Sequence, residues 1–335
     1  NVGALARYLG EKRASREYTR TRDSVQSALE ASGPLGRGLV DLGRNAKDSF
    51  KQMVIPGEML FEKLGITCTA PIPGHDIAAL KRALRVCLEA DGPTLLHVVT
   101  KKGKGYGPAE ENPSKFHGIG PYDIATGEVK KGSSTAPKYT SVFSKAIVAE
   151  AEANHDIVAI TAAMKDGTGL AEFAEKFPKR FIDTGIAEEH AVALASGLAL
   201  GGKKPVVCIY STFMQRAFDQ LVINNALANT NVVFCLDRAG LVGDDGPTHH
   251  GVFDIVYGRM VPGVRMMAPS DEAELVHMLH TALALEGPVI LRWPRGEARG
   301  VELPAVPQVL EEGKSRTTRE GSDVAILAFG RMVQE

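Results

Sequence analysis

The sequence predicts an α/β protein whose parallel sheets carry helices on both faces. After residue 140, short β-branched runs alternate with helical stretches, the pattern of a mostly parallel sheet with crossover helices. The runs are apolar throughout, as strands buried on both faces require. Polar, chemistry-bearing residues gather where each run ends and the next helix begins, the place where open parallel sheets bind ligands.

Taken in order, residues 1–55 are polar, locally basic and rich in Arg and Ser, and read as loose helices or a loop. "EMLFEKLGIT" reads as a helix closed at Gly65, and "DIAALKRALRVCLEA" as an amphipathic helix with Asp76 as N-cap. "PTLLHVVT" (93–100) reads as a buried strand. Residues 122–140 lack any hydrophobic period and hold Gly, Ser, Thr and Pro, so they read as a linker. Beyond it come helix "YTSVFSKAIVAEAEAN", strand "DIVAITAA", helix "GLAEFAEKF", strand "RFIDTG" and the helix opened by Glu188. Strand "KPVVCIYS", helix "RAFDQLVINNALAN" and strand "NVVFCLDRAG" follow. The series ends with "VRMMAPS", helix "DEAELVHMLHTALAL" (Asp271 at its start) and strand "PVILRWP". The strand-like run Val324–Phe329 would begin another unit. With Asn1 at the front, this predicts an internal piece truncated at both ends, divided as 1–121, a linker at 122–140, 141–310 and 311–335.

A net charge of -1 gives no basic excess for nucleic acid, and no apolar run approaches the roughly 18 residues of a membrane helix. Cys68, Cys87, Cys208 and Cys235 form no CxxC pair. Buried thiols in a reducing compartment explain them better than disulfides or zinc.

The strand ends carry the chemistry. Glu188, Glu189 and His190 follow "FIDTG", while Tyr210, Phe213 and Arg216 lie in "YSTFMQR". Arg238, Asp244, Asp245, His249 and His250 lie in "DRAGLVGDDGPTHHG", and Arg292 and Arg295 in "RWPRG". Each has a plainer explanation. Carboxylates in a first helical turn complement the macrodipole, His277 and His280 read as ordinary helix residues, and the His249–His250 tandem lacks companions at metal spacing. "GLVGDDGPTHHG" also lacks the strand–GxGxxG–helix setting of a dinucleotide site. Convergence on one rim favours function. Guanidinium forks suit phosphate or carboxylate, and a histidine there suits proton transfer near neutral pH. In the first half, "VVTKKGKGYGPAEENPSKFHG" sets Lys101, Lys102 and Lys104 among glycines, followed by His117. Such a loop suits a pyrophosphate or is simply a solvated basic turn.

Nearly the whole chain resembles the 1-deoxy-D-xylulose-5-phosphate synthase family, thiamine-diphosphate enzymes related to transketolases. The resemblance rests on "PGHD", "TKKGKGY", "ITAAMKDGTGL", "IAEEHAV", "YSTFMQRAFDQ", "DRAGLVGDDGPTHHGVFD", "APSDEAEL" and "RWPRG". It implies a thiamine-diphosphate-binding fold, with 1–121 from the diphosphate-binding domain, 141–310 the pyrimidine-binding domain and 311–335 the start of a C-terminal domain. It implies that Glu188, not Glu189, hydrogen-bonds the aminopyrimidine and promotes ylid formation, that Phe213 stacks on that ring, and that Lys102 lies near the cofactor. Tyr210 would line the substrate channel. Arg238 and Arg295 would grip the acceptor phosphate, with Arg216 in support. Asp245 and His249 would line the reacting carbons, with His249 moving protons, and His117 would face the active site. The implied reaction joins pyruvate to D-glyceraldehyde 3-phosphate with loss of CO2, giving 1-deoxy-D-xylulose 5-phosphate for isoprenoid, thiamine and pyridoxal synthesis.

The family's metal motif, GDG followed by an asparagine, is expected upstream of residue 1, so Mg2+ is an expected cofactor with no ligand in this chain. Pro73 stands where Asp is usual before "GHD". The resemblance further implies a homodimer, cytoplasmic in a bacterium or plastidic in a plant. The alternatives are another thiamine-diphosphate enzyme of transketolase type, or an inactive fragment or paralogue lacking the metal half-site.

Overall fold

The computed structural model describes Ser24, residues 61–62, 64–129 and 136–335. The reading of residues 1–55 and most of the first helix in "EMLFEKLGIT" therefore lie outside the described residues, as does the Asp244 side chain. Gly65, with φ +81°, closes the turn after Phe61 and Glu62. The chain divides into two units, residues 1–132 and 133–335.

In the first unit, β1 (Thr67–Cys68) pairs in parallel with β3 (Thr94–Leu95), and β2 (Ile72–Pro73) with β4 (Val98–Val99). The run expected as one buried strand is thus two short ones, and Val98 and Val99 are exposed. Pro71 explains the interruption, since it has no N–H to donate between β1 and β2. The Thr69 hydroxyl takes up the slack by accepting from the His97 N–H at 3.0 Å. The helix Ile77–Glu89 is capped as the sequence predicts, with Asp76 Oδ1 accepting from the Ala79 N–H at 2.9 Å. Its core is small, with Ile72, Ala79 and Ala83 buried together.

The second unit holds a six-stranded sheet in the order β6-β5-β7-β8-β10-β9. The strands are β5 (Ile157–Thr161), β6 (Phe181–Asp183), β7 (Lys204–Tyr210), β8 (Val233–Asp237), β9 (Arg265–Met267) and β10 (Val289–Arg292). Every pairing is parallel, so all the strands end at one edge. Side chains alternate between two cores. Ile157, Ala159, Val206, Cys208, Val233, Cys235, Val289 and Leu291 face the helices Tyr139–Ala153 and Glu272–Ala284. Val158, Ile160, Val207, Ile209, Phe234, Leu236 and Ile290 face the helix Glu188–Leu200 and the segments beside it. Two-sided burial is why these runs read as continuous apolar stretches.

The expected helix "RAFDQLVINNALAN" is broken. A 3-10 turn (Gln215–Ala217) and one α-turn (Phe218–Gln220) lead into a π-helical stretch, Leu221–Ala226. The wide turn accommodates Asn225, fully buried, whose amide donates to Gln220 O at 3.0 Å and accepts from the Thr230 hydroxyl at 2.9 Å. A buried amide must find such partners, and the π register supplies them locally. Val324–Phe329 forms no strand. Its large side chains are exposed, because no described strand lies alongside to pair with it.

Asp271 caps the helix Glu272–Ala284 through the Glu274 N–H, as expected. Fully buried Glu272 accepts from the backbone N–H groups of Arg299, Gly300 and Val301 at 3.1, 2.5 and 2.8 Å. His280 meets Glu150 at 2.8 Å and His277 accepts from the Gln308 N–H, so both serve packing. None of the four cysteines forms a disulfide.

Candidate functional site

The loops leaving the strands of the second unit meet at its C-terminal edge. Glu188 opens the helix Glu188–Leu200 and is 2% exposed, whereas its neighbours Glu189 and His190 face solvent. The helix can approach closely because Ala191, Val192, Ala195 and Ser196 form its buried face. The Ser196 hydroxyl donates to Asn224 O at 2.6 Å, binding the helix to the π segment. A buried carboxylate requires a partner. Here Arg216 Nη1 donates to Glu188 Oε1 at 2.6 Å, with half of the arginine side chain in solvent. Arg216 also lies 5.2 Å from the centre of the Phe213 ring. It therefore sits on Glu188, apart from the other two rim arginines.

Those two share Asp245. Arg238 Nε donates to Asp245 Oδ2 at 3.2 Å, while Arg295 Nη1 lies 3.3 Å from Oδ1 and donates to Val242 O at 2.9 Å. Asp245 thus braces both guanidiniums. Arg238 adopts a left-handed backbone, φ +61°, an uncommon state that persists only where surroundings over-determine it. Asp237 does so: fully buried, it accepts from the Arg238 N–H at 2.6 Å and the Thr140 hydroxyl at 2.7 Å. Burial pushes the Asp237 carboxyl up, opposed by the Arg238 charge and these hydrogen bonds.

The aromatic wall stands beside this pair. Tyr210 and Phe213 stack with centroids 5.8 Å apart, and the Arg238 guanidinium lies 3.8 Å from the Tyr210 ring centre. Burial pushes the Tyr210 hydroxyl up to about 12, so it remains a donor at neutral pH. The His249 ring sits 5.3 Å from Phe213, edge on. Its Nδ1 meets the Thr248 hydroxyl at 3.0 Å, and among the described residues Nε2 makes no hydrogen bond. His250 instead accepts from the Val242 N–H at 3.1 Å, which makes it a loop brace. Close packing at Gly251 holds this loop: a Cβ there would lie 2.4 Å from Ser211 Oγ. Arg292, expected at the rim, is tied down at 2.7 Å by buried Asp254.

The first unit carries a separate cavity of about 490 Å³ lined by His75, Lys101, Lys102, Lys104, Tyr106 and Phe116, among others. His75 Nε2 accepts from the Lys101 N–H at 2.8 Å, fixing the loop's start. Glu110 accepts from Lys101 and the Gly105 N–H, which together hold its carboxyl down to about 2. Lys102 is exposed and has no ion pair among the described residues. His117 is exposed and lies outside the cavity lining.

Sequence reasoning missed Asp237, Asp183 and Gly167. Asp183 Oδ1 accepts from the N–H groups of Ala163 and Gly185, at 2.8 and 2.9 Å, joining the loops after β5 and β6. The signal was adjacency, an aspartate ending each of two strands, but only the register shows which loops they hold.

Residues 135–301 match the family model for the transketolase pyrimidine-binding domain. A solved split-gene transketolase, described as an inactive β4 tetramer, superposes with a TM-score of 0.52 at 29% identity, covering 59% of this chain and 64% of that one. The class is therefore that of thiamine-diphosphate-type α/β folds. Residues 1–100 match the model for 1-deoxy-D-xylulose-5-phosphate synthase. The synthase of Syntrophomonas wolfei is 49% identical over 334 residues, 99% of this chain and 52% of that protein. That of Magnetococcus marinus is 52% identical over 333 residues, 99% and 53% respectively. The chain belongs to the 1-deoxy-D-xylulose-5-phosphate synthase family and spans about half the length of the curated relatives it matches.

Proposed function

We propose that this chain contributes the pyrimidine side and part of the diphosphate side of a 1-deoxy-D-xylulose-5-phosphate synthase, joining pyruvate to D-glyceraldehyde 3-phosphate with release of CO2. The observation that carries this reading is the pairing, on one strand-end rim, of a buried helix-opening carboxylate with two guanidiniums braced on a single aspartate.

The rim suits an aminopyrimidine. Glu188 is a buried anion whose present partner is half in solvent and exchangeable, and the flat Phe213 ring lies beside that partner. When bound, thiamine diphosphate supplies the carbon nucleophile and the electron sink for decarboxylation. Glu188 would hold the pyrimidine ring nitrogen by a charge-assisted hydrogen bond, and Phe213 would orient the ring face. His249 Nε2, unengaged, would move the proton at the reacting oxygens. Arg238 and Arg295 would take the acceptor phosphate, with the Tyr210 hydroxyl and Asp245 near the substrate. Arg216 would release Glu188 and turn toward the acceptor. Lys102, and on this reading His117, would serve the diphosphate end. The described residues include no group of three or more His, Cys, Asp or Glu that could hold a metal ion. The Mg2+ of such a synthase is assigned to ligands outside these described residues, and the homodimer and the cytoplasmic setting to the complete protein. We assign residues 1–121 to the diphosphate side, 122–140 to the linker, 141–310 to the pyrimidine side and 311–335 to a further domain.

The test uses the complete open reading frame with thiamine diphosphate, Mg2+ and pyruvate. CO2 release rising sharply on adding glyceraldehyde 3-phosphate, with deoxyxylulose phosphate formed, supports the synthase. Release indifferent to the acceptor points to another thiamine-diphosphate enzyme. A second reading, that the 335-residue chain is silent alone, is favoured by its spanning half the length of its relatives. Tight, magnesium-dependent thiamine diphosphate binding to this chain in a calorimeter would exclude it.

A further inference from the structure

The order β6-β5-β7-β8-β10-β9 places a topological switch point between β5 and β7. The chain leaves β5 for β6 on one side and leaves β7 for β8 on the other, and crevices at such points take ligands. The loop after β5, residues 162–170, has no assigned role in the reading above. It begins in strain, with Ala163 at φ +59° held through its N–H by Asp183 Oδ1 at 2.8 Å. Internal bonds then shape it: the Thr168 hydroxyl donates to Met164 O at 2.9 Å, and the Leu170 N–H donates to Lys165 O at 2.9 Å.

Gly167 at its tip meets the rim twice. Its carbonyl accepts from Arg238 Nη1 at 3.0 Å. A Cβ on it would fall 2.1 Å from the Tyr210 hydroxyl oxygen and 3.0 Å from Tyr210 Cζ. The Tyr210 ring in turn supports the Arg238 guanidinium, 3.8 Å away. Arg238 thus has Nε on Asp245, Nη1 on Gly167 and 3.5 Å from Asp237 Oδ1, and a face on Tyr210, while Nη2 makes no hydrogen bond among the described residues.

We infer that Gly167 is a positioning residue for anion recognition: its bare Cα lets the Tyr210 hydroxyl seat against the loop, and its carbonyl turns the free Nη2 edge of Arg238 toward the substrate phosphate. The inference rests on the proposed reading for the identity of the anion, not for the contact. Any side chain at 167 displaces the tyrosine, and the guanidinium resting on it follows. The loop after β5 is then part of the specificity wall.

The experiment is a double-mutant cycle in the complete protein, with Gly167→Ala, Tyr210→Phe and the pair. Gly167→Ala should raise KM for glyceraldehyde 3-phosphate about tenfold or more, the scale of one charge-assisted hydrogen bond, with kcat and thiamine diphosphate affinity within about twofold. Tyr210→Phe removes the atom nearest the added methyl, so in that background the same change should cost less than about threefold. An unchanged KM, or an equal penalty in both backgrounds, overturns the inference. Should Gly167→Ala fail to fold, unfolding temperatures decide. A double variant more stable than Gly167→Ala supports the contact, and equal instability refutes it. This readout needs no substrate, so it stands even where a wild type indifferent to the phosphorylated acceptor has defeated the synthase reading.

Discussion

The two units treat charge in opposite ways. At the rim of residues 133–335, the buried or half-buried charges already have protein partners: Glu188 has Arg216, and Asp245 has both Arg238 and Arg295. In the cavity of residues 1–132, Lys102 stands exposed without an ion pair among the described residues, and only Lys101 is engaged, with Glu110. On the proposed reading, the rim is a pre-organised site in which a ligand would replace existing partners. On the same reading, the lysine loop is an open electropositive surface whose Lys102 would gain its partner from a ligand. Rim substitutions should therefore alter catalysis and specificity, whereas loop substitutions should alter affinity in a salt-dependent way.

The largest expected effect breaks the rim at its buried anion. In the complete protein, Glu188→Gln should lower kcat by about a thousandfold, within the usual range for a proton-transfer group, while thiamine diphosphate still binds. Turnover near wild type in steady-state assays would remove Glu188 from the chemistry. Next, Arg238→Met should raise KM for the phosphorylated acceptor by roughly 10- to 100-fold, with the KM for pyruvate little changed. Equal effects on both substrates would show that Arg238 holds the rim together and does not select the anion. On the other side of the comparison, Lys102→Ala should weaken thiamine diphosphate binding by about tenfold at low salt and less at high salt. Calorimetry at two ionic strengths reads the difference, and a salt-independent loss would contradict an open electrostatic surface.

The smallest effect is a titration. Lys101 and the Gly105 N–H favour ionised Glu110, so its folded pKa falls from 4.5 to about 2. The stabilisation is fully present above pH 4.5 and is lost as pH falls through about 2. Carboxyl NMR should show Glu110 titrating well below 4.5 as pH falls. A midpoint near 4.5 would show that the loop does not hold this clasp in solution.

Much of the architecture was legible, for physical reasons. Two-sided burial forces apolar continuity, so β5, β7, β8 and β10 were visible as runs, and Asp76 and Asp271 were visible as caps. Part of the rim's membership was legible because charges and aromatics crowd the strand ends, but Arg292, expected there, is held by Asp254 and His250 braces its loop. Its pairings were not. Arg216 reaches Glu188 across 28 residues, and nothing in "YSTFMQR" distinguishes an arginine facing a carboxylate from one facing a phosphate. The π-helical stretch escaped for a related reason. Asn225 looks like an ordinary helix residue until its amide is buried, and burial is a tertiary fact. The division of "PTLLHVVT" was hidden because the cause, Pro71, lies in the partner segment.

Glu272 has a consequence of another kind. To a protease, the segment after Arg295 and the tail beyond residue 302 are different substrates, though both carry arginines. An enzyme must draw several residues into an extended form to cut, and the amides of Arg299, Gly300 and Val301 are already held by the Glu272 carboxylate. Lys314, Arg316 and Arg319 are exposed and have no such anchor. Trypsin should trim the chain in that tail and halt there, leaving a fragment that retains Val301. A side chain buried inside the unit thus shields the stretch 299–301.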